Sequence, residues 1–186
     1  MLLAPSTELS RFVIVDNLVD TVDKIRFFEK IIGFQPRDPE SEFACDLGYL
    51  ESDMNTNKIV YDPFHSLIST INYEAFLYDI ESLEKFMYAR LTSTAQDHIK
   101  PHREIRLSGY RKQDRKITML SCLSNNNEYE GGELKIDIDG TLQPQIINLK
   151  AGQTVFFDSH VTWGIEPVTS GEARFLLNNA WGKSQL

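Results

Sequence analysis

Two consecutive stretches decide the fold: Lys116-Ile117-Thr118-Met119-Leu120-Ser121-Cys122-Leu123-Ser124, and Glu128-Tyr129-Glu130-Gly131-Gly132-Glu133-Leu134 after it. The first is a run of strand-forming residues. The second turns the chain on paired glycines and starts the next strand. Working outward, runs of the same kind recur at 86–92, 133–138, 145–149, 154–157, 161–168 and 174–181, separated by Gly, Asn and Pro signals. Closely spaced strands of this sort predict an antiparallel barrel or sandwich.

The first 85 residues read differently. Residues 12–15 predict a strand. Asp20 then opens a helix, with Asp23 in its first turn, an apolar stripe of Val22, Ile25, Phe28 and Ile32, and Gly33 at its stop. Residues 35–58 are polar, hold Pro36, Pro39, Asn55 and Asn57, and read mostly as loop. A second helix is expected from residue 63 to about 77, with Phe64, Leu67, Ile68, Ile71 and Ala75 on one face, and a shorter one over 80–85. The expectation is one domain over 1–186. Residues 1–85 supply a strand and supporting helices, and 86–186 supply the β core. In the last run Arg174, Leu176, Asn178 and Ala180 share one face, and Phe175, Leu177, Asn179 and Trp181 the other. We expect the mixed polar face to point inward and the aromatic face outward.

The composition is that of a soluble globular protein, with 41% hydrophobic and 25% charged residues. A net charge of -8 argues against bulk electrostatic binding of nucleic acid. Cys45 and Cys122 lie in apolar surroundings without a CxxC spacing, as reduced core residues of a cytoplasmic protein do. No signal peptide is read at the N-terminus, and no run approaches the ~20 apolar residues of a membrane span.

The chemistry centres on His102-Arg103-Glu104. Two residues apart on an extended strand, His102 and Glu104 point the same way and suit one metal ion. His160 can complete a facial triad of two imidazoles and one carboxylate, which leaves open positions for oxygen chemistry. Arg174, downstream, can grip the carboxylate of an organic cosubstrate. The bland alternatives are a solvated pair, a surface histidine, and an arginine paired with Glu172 or Glu166.

From Lys116 the chain resembles the prolyl 4-hydroxylase-like branch of the iron(II)/2-oxoglutarate dioxygenases. The resemblance rests on the two stretches above, on Leu149-Lys150-Ala151-Gly152-Gln153-Thr154-Val155-Phe156-Phe157, and on Pro167-Val168-Thr169-Ser170-Gly171-Glu172-Ala173-Arg174. It covers about 84–181 well and the first 83 residues loosely. It implies a double-stranded β-helix, a jelly-roll or cupin-like barrel, mainly β with N-terminal helices on one face. It also implies Fe(II), 2-oxoglutarate and O2 as partners, and oxidation of a prime substrate, usually hydroxylation. Its implied site is His102, Glu104 and His160 on iron and Arg174 on 2-oxoglutarate, with Thr118 a further cosubstrate contact.

Two departures stand out. The family carboxylate is usually Asp, and here it is Glu104. The ungapped position of the second histidine holds Trp163, and His160 lies three residues earlier, so His160 needs a bulged or re-registered strand. The basic stretch 100–116 holds Arg103, Arg106, Tyr110 and Arg111, which with Trp163 are candidate contacts for an anionic or protein substrate. The rival readings are a catalytically degenerate binding module, supported by Trp163, and a cupin-like metalloenzyme that does not use 2-oxoglutarate.

Overall fold

The computed structural model describes residues 12–16, 18, 20–104, 107–108, 113–138, 140–141 and 143–184. Its strands are β1 Phe12–Asp16, β2 Phe43–Ala44, β3 Asp46–Tyr49, β4 Ile80–Leu83, β5 Met87–Thr92, β6 His98–His102 and β7 Leu107–Ser108. They continue as β8 Gln113–Cys122, β9 Tyr129–Gly131, β10 Leu134–Asp137, β11 Gln145–Ile147, β12 Gln153–Asp158, β13 Thr162–Ile165 and β14 Val168–Lys183. Among the described residues, the larger sheet runs β1-β12-β8-β14-β5-β3, with β4 and β9 on β14 and β7 on β8. The smaller sheet runs β11-β10-β13-β6-β2, and all pairings are antiparallel. This is the expected jelly-roll, with helices on one face.

Strand alternation divides the larger sheet's side chains between two cores. Leu120, Val155, Phe157, Phe175 and Leu177 face the smaller sheet and meet its Leu134, Ile136, Trp163 and Ile165. Met119, Phe156, Leu176 and Ala180 face the other way, against Ile25, Val60, Phe64 and Ile68 of the helices. The expected orientation of the last strand is therefore inverted. Its Phe175 face fills the barrel, because the small sheet offers only apolar partners there. Its Arg174 face lies under the helices.

The N-terminal elements differ from expectation in three places. Helix α1 is short, Val22–Phe27, and tightens into a 3-10 turn at Phe28–Lys30 before Gly33. The expected loop at 35–58 contains β2 and β3, and helix α2, Met54–Thr56, starts on a capping box between Asp53 and Thr56. The helix then continues through a π-turn, Asn57–Tyr61, into α3, Asp62–Ile71, and a second π-turn, Asn72–Phe76. Leu77 ends it in the left-handed conformation. The expected helix at 80–85 is instead β4, hydrogen-bonded to β14 around Trp181. Four residues with one apolar end each fit either period, and the open edge of β14 selects the strand. Cys45 and Cys122 are free and buried, and burial pushes the Cys45 thiol up to about 12.

Gly171 sits at positive φ where β14 turns past β9, and a Cβ there would run into the Glu128 carbonyl oxygen. Gly171→Ala is expected to lose about 2 kcal/mol in urea unfolding, from strain in a sparsely populated backbone region.

Candidate active site

His102 ends β6, and Glu104 follows with its backbone N–H donating to the Ser159 carbonyl at 3.1 Å. Both side chains are buried, and the His102 Nε2 lies 3.0 Å from Glu104 Oε1. The His102 Nδ1 lies 2.8 Å from the Lys100 carbonyl oxygen. Acceptors thus stand against both ring nitrogens, an arrangement that favours the charged ring. Burial works against that charge, but the bonds to Glu104 and Lys100 and the charges of Glu104 and Glu42 outweigh it. The His102 pKa therefore lies above the usual histidine value.

The other oxygen of Glu104 accepts from Arg115 Nη1. Arg115 turns the opposite side of its guanidinium to Glu84, with Nε and Nη2 each donating at 2.8 Å. Glu84 also accepts from Trp181 Nε1 at 2.7 Å and from Asn179 Nδ2 at 3.2 Å. Asn179 Oδ1 accepts from Thr118, whose hydroxyl lies 2.9 Å from that of Ser159. One hydrogen-bonded chain thus runs from His102 through Glu104, Arg115, Glu84 and Asn179 to Thr118 and Ser159. Charges alternate along its first four members, so each charged group is partnered inside a low-dielectric site.

His160 does not join this chain. It occupies the turn between β12 and β13, and its side chain is 48% exposed. Asp158 Oδ1 accepts from its backbone N–H at 2.8 Å and lies 2.9 Å from its Nδ1. Tyr78 donates to the other Asp158 oxygen. The register then sets Trp163, not residue 160, across from His102, with ring centroids 4.8 Å apart. Trp163 is 1% exposed, so the structure places it in the barrel wall and not on a substrate-facing surface. Its indole Nε1–H is buried without an acceptor among the described residues.

Arg174 is the second displacement. Its Nε donates to Glu29 Oε2 and its Nη2 to Glu172 Oε2, both at 2.7 Å, on the helix side of the larger sheet. Glu29 also accepts from Tyr88 at 3.0 Å and Arg90 at 3.2 Å. The cause is parity: Phe175 and Leu177 point into the barrel, so Arg174 points out of it. Thr118, the further cosubstrate candidate, bonds to Asn179 and Ser159. Arg103 donates to Thr162 at 3.2 Å on the surface, and Arg106, Tyr110 and Arg111 lie outside the described residues.

A family model of the 2OG-Fe(II) oxygenase superfamily matches residues 86–181. The chain belongs to the 2OG-Fe(II) oxygenase superfamily. The fold of this oxygenase is similar to that of a prolyl hydroxylase from Trichoplax adhaerens, solved with a hypoxia inducible factor peptide. The TM-score is 0.72 at 16% identity, over 92% of this chain and 84% of that one. A Pseudomonas putida prolyl-4-hydroxylase gives 0.69 at 15% identity, over 93% and 92%. A viral collagen prolyl hydroxylase from Paramecium Bursaria Chlorella virus-1, solved with 2OG, gives 0.67 at 14%, over 94% and 97%. No curated protein matches the chain. The family model supports the expected iron(II)- and 2-oxoglutarate-dependent oxygenase, and these neighbours share its fold.

The family implies Fe(II) and 2-oxoglutarate, and the residues present fit them in a reduced form. Among the described residues, no three His, Cys, Asp or Glu side chains converge on one point. His102 and Glu104 converge as two donors, with their ligating atoms 3.0 Å apart. The orphaned Trp163 Nε1–H beside them is a donor that a bound oxygen atom would satisfy. The interior cation facing the pair is Arg115, on β8, and not Arg174. Sequence reasoning had Arg115 only as one charge of a basic stretch. It missed Glu84, Asn179 and Ser159. Asn179 lay on the face shared with Trp181, which was a usable signal, and Glu84 carried none.

Burial raises the pKa of Glu29, but its bonds to Arg174, Tyr88 and Arg90 outweigh burial and hold it below the usual value. A carboxylate depressed in the folded state adds stability that is full above its unfolded pKa and is lost as pH falls through the folded one. Glu29→Gln is therefore expected to cost about 2 kcal/mol near neutral pH, with the gap to wild type closing in acid, as read by urea unfolding at a series of pH values.

Proposed function

We propose that this superfamily member acts as an iron(II)- and 2-oxoglutarate-dependent hydroxylase whose metal is held by His102 and Glu104. The observation that carries the assignment is the buried pair itself, with Nε2 and Oε1 3.0 Å apart and the ring orientation fixed by Lys100. When bound, the metal and 2-oxoglutarate supply oxygen activation coupled to decarboxylation. The protein's part is to hold and orient. Metal capture requires an unprotonated Nε2 on His102, while Nδ1–H donates to the Lys100 carbonyl. Glu104 presents one oxygen to the metal side and keeps the other on Arg115. Trp163 and Phe43 pack against the His102 ring, and Phe157 of the larger sheet packs against Trp163.

For the prime substrate, a peptide is the reading favoured by the peptide-bound relative, and the basic stretch beside Glu104 favours an acidic one. Placement in the cytoplasm is part of the same proposal. Among the described residues no helix is long and apolar enough to cross a membrane.

One observation favours a second reading, a binding module on the same fold: Trp163 stands across from His102 where a third donor would be, in a filled apolar interior. Anaerobic iron(II) titration of the metal-free protein separates the two. One equivalent of iron retained by wild type and by His160→Ala, and lost in His102→Ala, is the expected result. No iron retained by wild type means the barrel serves binding alone.

A further inference from the structure

Arg115 offers a carboxylate clamp that is already in use. Its Nε and Nη2 edge, the edge that meets a carboxylate with two parallel bonds, is held by Glu84 at 2.8 Å on both contacts. Exposure is graded along the group, with Glu104 at 6%, Arg115 at 11% and Glu84 at 24%. Glu84 therefore sits on the solvent side of the fork, with the His102 and Glu104 pair behind it. Its backbone is pinned on both sides: the N–H donates to the Asn179 carbonyl, and the carbonyl accepts from Asn178 Nδ2. Any movement of Glu84 is therefore confined to its side chain, which is held by Arg115, Trp181 and Asn179. Two surface grooves, of about 460 and 170 Å³, lie elsewhere and are not lined by His102, Glu104 or Arg115.

We infer that Arg115 is the residue that binds a carboxylate of 2-oxoglutarate in this chain, and that Glu84 is an internal carboxylate that occupies the clamp until the cosubstrate displaces it. The inference rests on the hydroxylase reading above. It follows from three observations that are independent of one another. Arg174 is committed to Glu29 and Glu172 on the far side of the sheet. Arg115 contacts Glu104 directly through Nη1, so an anion that takes the Nε and Nη2 edge from Glu84 is held one guanidinium away from the metal-holding pair. Thr118, Ser159 and Asn179 extend from the same point as neutral hydrogen-bonding groups able to meet the rest of a polar ligand. Glu84 released from the clamp moves toward water, where an ionised carboxylate is well solvated. Cosubstrate binding is then a competition between two carboxylates for one fork, and its cost is the breaking of the Glu84 contacts.

The test is calorimetric titration of 2-oxoglutarate into the iron(II)-loaded protein without oxygen, in wild type, Glu84→Gln, Arg174→Gln and the double variant Glu84→Gln/Arg115→Gln. Glutamine at 84 keeps one acceptor oxygen, enough for Trp181 or Asn179 but not both, and no longer competes as an anion. The double variant avoids leaving the Glu84 charge unpaired, and a melting curve checks that each variant folds. Expected are about tenfold tighter binding in Glu84→Gln, about tenfold or greater weakening in the double variant relative to Glu84→Gln, and a Kd within twofold of wild type in Arg174→Gln. Loss of binding in Arg174→Gln, with Glu84→Gln unchanged, overturns the clamp and leaves the hydroxylase reading standing. Iron retained with no 2-oxoglutarate bound by wild type or Glu84→Gln removes that reading, and the clamp with it.

Discussion

The two-residue period of β14 is the constraint on which the rest of the molecule depends. This strand, Val168–Lys183, pairs with β8 on one side and with β5 and β4 on the other. Every second side chain goes to the barrel and every other to the helices. Phe175 and Leu177 therefore seal the space between the sheets, while Leu176 and Ala180 seat the helices. A shift by one residue would exchange the two cores, which is why the register is held so firmly. The register with β8 shifts between Ala180 and Trp181, where β8 carries one extra residue, Lys116. The shift sets Arg115 opposite Trp181, beside the polar chain.

That constraint explains why the charged groups divide into two separate networks. On the helix side, Arg174, Glu29, Arg90, Asp46, Arg37 and Asp97 alternate in sign under the N-terminal elements. Inside the barrel, His102, Glu104, Arg115 and Glu84 alternate in the same way. Each network removes the cost of burying its members by pairing them, and such pairing favours specificity of arrangement more than net stability. The helix-side network ties the 3-10 turn after α1 to the sheet through Glu29. The interior network fixes His102, Glu104, Arg115 and Glu84 against one another.

The three donors that the family resemblance implies do not converge among the described residues. Trp163 stands across from His102, and its buried indole N–H has no partner among the described residues. The histidine that the sequence offers as a third donor is locked in a turn by Asp158. The cation that the sequence offers as a clamp is outside the barrel, and another stands within. The polar chain from His102 to Ser159 is the part of the site that the fold has kept continuous.

The sequence by itself determined the barrel, the helices on one face, the His102 and Glu104 pair and the two buried thiols. All four follow from local rules: strand period, turn residues, and two side chains on one face of an extended segment. The oxygenase family was legible for the same reason, since its Gly-Gly and Pro-Val-Thr turns are short and contiguous. What only the tertiary structure decided is which face of β14 meets which core, and hence that Arg174 pairs with Glu29 on the helix side while Arg115 contacts Glu104 inside. Both faces of that strand are apolar enough to bury, so composition could not choose between them. The same holds for His160, whose fate is set by Asp158 and by the register between β13 and β6. Glu84 lies furthest beyond the sequence's reach, because its role exists only where β4, β8 and the residues after β6 meet.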